Sequence, residues 1–226
     1  MTLVNALFAG QFLLLQLEFL RLKGLIWKSI CILLMVYTVT VGFLGPVPRL
    51  PVLYETIRNL YFHVPMWFSM IFLFIASAIN AIVYLRKEDE KFDLRSVEFA
   101  NVGLLFGLLG IVTGMVWAQF TWGEWWSWDT KQNGAAITLL IYAGYLVLRN
   151  SIEDPKSRAR VSAVFNVFAF AAMVPLIFIL PRLTASLHPG AGGNPAFNTY
   201  DLDNWMKLVF YPAVIGCIPC DCVSAA

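Results

Sequence analysis

Apolar residues occur along this chain in long runs separated by short polar segments, and a membrane-crossing helix needs about 20 such residues. Six runs meet or approach that length, at about 25–44, 60–85, 99–120, 133–149, 161–180 and 205–218. Gly45, Pro46 and Pro48 end the first, and Pro181 is expected to stop the fifth. The fourth is short, a core of Gly134 to Leu148 extended by Asn133 and Arg149, and the sixth is barely long enough. Connections of 10 to 25 residues leave no room for an inserted soluble domain. The pattern predicts an all-α integral membrane protein, a six-transmembrane-helix bundle forming one membrane domain over residues 1–226. Residues 1–23 differ: Leu3 to Leu17 is apolar but broken by Asn5, Gln11 and Gln16, and too short to cross. Without the charged start and small-residue cleavage site of a secretory signal, this segment is expected to be an interfacial helix. Arg21 and Lys23 then lead into the first span.

Composition excludes the competing classes. Hydrophobic residues make up 59% and charged residues 13%, against roughly 45–50% and about 25% in soluble domains. That much apolar surface fits neither a water-soluble fold nor a disordered chain, and a net charge of +2 argues against nucleic acid as a partner. The basic residues then set the orientation. With the N-terminus inside, the inner segments hold eleven: Arg21, Lys23, Lys28, Arg86, Lys87, Lys91, Arg95, Arg149, Lys156, Arg158 and Arg160. The outer segments hold four, Arg49, Arg58, Lys131 and Arg182. Both termini are therefore expected to be cytoplasmic.

This topology brings the unusual residues to one side. His63 opens the second span in Tyr61-Phe62-His63-Val64-Pro65, and His188 lies in the last outer loop. Between spans three and four the outer loop reads Trp122-Gly123-Glu124-Trp125-Trp126-Ser127-Trp128-Asp129. The only two histidines and four of the eight tryptophans thus share the outer face. Two neutral imidazoles from different segments suit the two axial positions of haem iron, and indole rings offer a broad apolar surface for the porphyrin. Lys131 and Arg182 are candidate partners for the propionates. Trp27, Trp67, Trp117 and Trp205 are assigned to the aromatic belt of the membrane interface. Asp129 has two readings, a ligand for backbone amides that fixes the loop or a cap for the following span, both structural. Glu124 is expected to face solvent.

The stretch Trp122 to Asp129 resembles the tryptophan-rich "WWD" signature of haem-handling proteins in cytochrome c biogenesis, and within that group the haem exporter protein C (CcmC) family. The resemblance covers roughly residues 55–215 and includes Tyr61 to Pro65, a fourth span running from Leu139 to Arg149, and Ser186-Leu187-His188. It implies a protein that holds haem b at the periplasmic face of the bacterial inner membrane and passes it on without itself catalysing a reaction. His63 and His188 would be the axial ligands, and Trp122, Trp125, Trp126, Trp128 and Asp129 the haem-docking loop. The implied partners are ABC-type transporter subunits and a membrane-anchored periplasmic haem chaperone that supplies the ligase for apocytochrome c. Two features depart from the pattern. Asn133-Gly134-Ala135-Ala136 lacks an acidic residue found in some members, and the sixth span meets Pro219 early with no basic residue after Lys207.

Cys31 is expected to be inert packing inside span one. Cys217, Cys220 and Cys222 form C-x-x-C followed by C-x-C, but in a cytoplasmic tail without histidine they point to no metal or disulfide site. Three other haem functions are open to the residues. A cytochrome b-type electron-transfer anchor usually places its histidines deeper and leaves the tryptophan cluster unexplained. A haem lyase tends to be larger, with further histidines. A translocation path would need buried charge or broken helices at mid-membrane, which the spans lack.

Overall fold

The computed structural model describes residues 25–51, 53–188 and 202–217, and all of its regular elements are helical. In chain order these are α1 (Leu25–Leu44), a 3-10 helix (Tyr54–Asn59), α2 (Leu60–Lys87), α3 (Glu90–Trp122), α4 (Thr130–Ser151) and α5 (Pro155–Val174). A π-turn (Pro175–Ile179), the short α6 (Leu180–Leu183) and α7 (Asn204–Cys217) follow. The segment expected to lie at the interface, residues 1–23, falls outside the described residues, as do Cys220 and Cys222.

Four stretches, Trp27–Leu44, Tyr54–Lys87, Glu90–Trp122 and Pro155–Leu183, are long and apolar enough to cross a membrane, as a multi-pass membrane protein requires. The helices at the predicted fourth and sixth spans also form. However, α4 opens on the polar Thr130-Lys131-Gln132-Asn133 and closes on Arg149-Asn150, while α7 has 14 described residues.

The chain divides into two compact units, Met1–Ser69 with Val112–Trp125 and Thr199–Ala226, and Met70–Ile111 with Trp126–Asn198. The division cuts α2 and α3, so each contributes one part to each unit.

In the first unit α1 packs on α7, around a core of Ile57, Tyr61, Phe62, Met206, Val209 and Phe210. Prolines 46 and 48 stop α1, and its last carbonyls need other partners. Arg58 supplies them: its Nη1 donates to Gly42 O at 2.6 Å and Gly45 O at 2.7 Å, and its Nε to Glu55 at 2.7 Å. Arg58 so ties the end of α1 to the turn that starts α2. Cys31 and Cys217 are buried and form no disulfide, with Cys217 Sγ 3.8 Å from Met35 Sδ.

In the second unit α4 packs on α5, and Phe74 of α2 stacks on Tyr142 of α4 with ring centroids 3.5 Å apart. A buried polar cluster links three helices. Asn166 Nδ2 donates to Ser77 Oγ at 2.7 Å and Ser96 Oγ at 2.8 Å, while Ser77 Oγ donates to Ser96 O at 2.6 Å. Within an apolar medium such bonds fix which helix faces meet. Arg149 is buried and makes a two-pronged pair with Asp93, at 2.7 and 2.6 Å.

The third span expected at 99–120 lies within a longer helix that begins at Glu90, nine residues before it, because a hydropathy run measures the apolar thickness crossed and not the length of the helix that crosses it. One expectation about helix ends is corrected. The fifth helix does not stop at Pro181 but continues to Leu183. The π-turn makes this possible: Leu180 N donates five residues back to Pro175 O, a widened register that admits a proline. In that register the next nitrogen, that of Pro181, would serve Leu176 O and has no hydrogen to give. Leu176 O lies against Gly134 of α4, where a Cβ would collide with it.

Candidate functional site

The residues singled out by sequence fall into two centres, one in each unit. In the first, His63 lies in the opening turns of α2 and is 8% exposed. One helical turn on, Trp67 donates its indole N–H to His63 Nε2 at 3.2 Å. On the opposite side of the ring, Nδ1 lies 3.1 Å from the Thr113 hydroxyl of α3. An indole nitrogen can only donate, so Nε2 must carry the lone pair and Nδ1 the proton. The imidazole is therefore neutral, with Nδ1–H donating to Thr113. Gly114 backs the ring: a Cβ there would stand 2.7 Å from His63 Cε1. Trp117 meets the ring edge-on at a centroid distance of 5.9 Å and donates to Thr56 Oγ1 at 3.3 Å. Asn59 Nδ2 donates to Thr113 O at 3.1 Å, tying the start of α2 to α3.

Trp67 and Trp117, assigned from sequence to the interfacial belt, are thus the immediate surroundings of His63. The available signal was spacing. His63 and Trp67, like Thr113 and Trp117, are four apart and so share a helix face.

The tryptophan loop begins where α3 ends. Gly123 adopts φ +87°, the left-handed conformation that closes helices, and Gln119 Nε2 donates to its carbonyl at 3.2 Å. Trp122 is partly buried, Glu124 is exposed, and Trp125 is 54% exposed.

In the second unit, Asn133 locks the rest of the loop. Its side-chain oxygen accepts from Trp126 Nε1 at 3.3 Å and its Nδ2 donates to Trp128 O at 2.8 Å. Gln132 Oε1 accepts from both the backbone N–H and the hydroxyl of Ser127, each at 3.0 Å. Trp128 is held at φ +58° and is 77% exposed. A bulky side chain in that region is strained, so the loop spends free energy to keep this indole on the surface.

Asp129 follows and is buried. It caps α4 by accepting from Lys131 N at 2.9 Å, and it also accepts from Leu187 N at 2.6 Å, so both sequence readings hold at once. A third role was not anticipated. Asp129 Oδ1 binds His188 Nδ1 at 2.8 Å and accepts from Ser186 Oγ at 3.0 Å. Burial works to raise the Asp129 pKa, but the bonds from His188, Leu187 and Lys131 outweigh it and hold the carboxyl well below the usual carboxylate range. With Nδ1–H committed to the carboxylate, a neutral His188 has its lone pair on Nε2. Carboxylate–histidine pairing of this kind orients and strengthens metal-ligating imidazoles.

Around Asp129, burial pushes the Lys131 ammonium pKa down, the Asp129 charge opposes this, and Arg182 adds to it. Lys131 is thus coupled electrostatically to both Asp129 and Arg182 at the base of the loop. Cys217, the one member of the tail motif among the described residues, lies in α7 and touches neither histidine's hydrogen-bond network.

Among known proteins, the family model described as "Heme exporter protein C" matches residues 14–220. Curated relatives carry that same description. The one from Paracoccus denitrificans is 29% identical over 140 residues, 60% of this chain and 56% of the relative. That from Rhodobacter capsulatus is 29% identical over 127 residues, 54% and 52% respectively. That from Haemophilus influenzae is 28% identical over 137 residues, 61% and 55%. The matches thus span about half the length of each of these relatives.

Proposed function

Since the chain belongs to the Heme exporter protein C family, we propose that it binds haem and hands it on during cytochrome c maturation, with His63 and His188 as axial ligands. The observation that carries this reading is the Asp129–His188 pair at 2.8 Å, which puts the imidazole lone pair on Nε2, as an iron ligand needs. The remaining residues fit the cargo. Trp125 and Trp128 present exposed indoles to a flat apolar ring, with Trp122 and Trp126 completing the docking surface. Lys131 and Arg182 supply positive charge for propionates. Haem iron accepts two imidazole lone pairs; this chain's part is to aim and hold them.

In this reading the chain crosses the bacterial inner membrane six times with both termini cytoplasmic and the haem face periplasmic. It receives haem b alongside ABC-type transporter subunits and yields it to a membrane-anchored periplasmic chaperone, making no covalent bond itself. Purified in detergent, the protein should carry haem with a low-spin bis-histidine absorbance spectrum. His63→Ala and His188→Ala should each abolish that spectrum, and an unchanged spectrum in both would overturn the ligand assignment. Co-expression with apocytochrome c alone should give no covalent haem. Cysteines introduced singly at positions 124 and 88 should label from the outside and the inside respectively.

A further inference from the structure

The surroundings of His63 contain a competitor for any metal. We propose that Trp67 is a positioning residue that acts as a release lever, its indole N–H occupying the same Nε2 lone pair that iron would take; this rests on the reading of His63 as an iron ligand. One lone pair cannot serve both partners. Loading breaks the Trp67 N–H···Nε2 hydrogen bond, 3.2 Å long here, and forms an Nε2–iron dative bond with the same electron pair. No proton moves, because Nδ1 keeps its hydrogen on Thr113 at 3.1 Å. Unloading reverses the exchange, and the indole N–H recovers its acceptor.

The ring is packed on two further sides: a Cβ added to Gly114 would stand only 2.7 Å from Cε1, and Trp117 makes a T-shaped contact at a centroid distance of 5.9 Å. Trp67 is accordingly taken as the group that shifts. Thr113 has the complementary part: by accepting Nδ1–H it keeps the proton off the ligating nitrogen. A protein that retains haem gains nothing from a built-in rival to its ligand. A protein that must give haem up does, because the ligand-free histidine is left satisfied. One hydrogen bond of ordinary net strength lowers affinity about fivefold.

The test is the rate at which the haem-loaded full chain in detergent loses haem to excess apomyoglobin, with the low-spin spectrum followed in parallel. Trp67→Phe keeps an aromatic ring and removes the N–H, and haem loss should slow about fivefold. If Trp67 merely packs, the smaller ring loosens the site and loss speeds up; a rate equal to or faster than that of the unaltered protein overturns the proposal. Thr113→Val should lower the fraction of chain that loads, and Thr113→Ser should restore it. Equal loading of both variants and the unaltered chain also overturns the proposal, and this arm decides if Trp67→Phe does not accumulate. His63→Ala separates the two levels. If it keeps the spectrum, the ligand reading fails; if it loses the spectrum while Trp67→Phe shows no slowing, the lever alone fails.

Discussion

His63 and His188 are held in opposite ways. His63 sits on a helix and is fixed by neutral groups from two helices: an indole, a hydroxyl and the bare backbone of a glycine. His188 sits in a loop and is bound by a charged residue, Asp129, which also caps α4 and binds Ser186 and Leu187. A helix supplies position at no extra cost, so the partners of His63 are left to tune its lone pair. A loop supplies none, so one carboxylate gathers the start of α4, Ser186, Leu187 and the histidine together. Damage should accordingly spread around His188 and stay local around His63.

Asp129→Ala should give the largest effect. It removes an N-cap and three further hydrogen bonds to a buried carboxylate, on the order of 3–5 kcal/mol by analogy with a broken buried pair. Thermal unfolding in detergent, together with loss of amide protection at Leu187 and of the His188 contribution to the haem spectrum, would show it. If only the spectrum changed, the idea that Asp129 organises the whole loop would fall.

Two glycines sharpen the contrast, Gly114 against the His63 ring and Gly134 against the Leu176 carbonyl. Gly134→Ala should push α4 off the Leu176 carbonyl and disturb the helix that leads to His188, costing about 2–3 kcal/mol. Hydrogen exchange should rise across Leu180–Leu187. Gly114→Ala should cost less, about 1–2 kcal/mol, and displace the His63 ring while leaving exchange elsewhere unchanged. Equal spread of the two disturbances would erase the distinction between the loop-borne and the helix-borne histidine.

The smallest effect on stability separates fold from function. Trp128→Gly should raise stability by about 1 kcal/mol, by relieving the left-handed conformation. Haem binding, measured by titration, should weaken at the same time. A loss of stability would mean that the indole is a packing residue after all.

The helices were legible because a bilayer imposes one simple length on apolar runs, and the predicted ends at 44, 60, 85, 120, 149 and 205 fall within two residues of the described helix ends. Pro181 misled because a proline forbids the standard register only, and a π-turn five residues long sidesteps it. The loop was legible as a cluster, since four tryptophans close in sequence must be close in space. The bond from Asp129 to His188 spans 59 residues and had no sequence signal. The contacts of Trp67 and Trp117 with His63 were not read from the sequence for a related reason. An indole at a helix end suits an interface equally well whether its N–H meets water or an imidazole, and only the packing of α2 on α3 within the first unit decides.

Trp128 also bears on how such a sequence changes over time. The tryptophan codon, TGG, becomes the glycine codon GGG by one base substitution, and glycine is the residue most at ease at φ +58°. Position 128 therefore lies a single mutation from a more comfortable fold. A lineage selected for folding alone would take that step readily. An indole stands there instead, 77% exposed, on the surface proposed to dock haem.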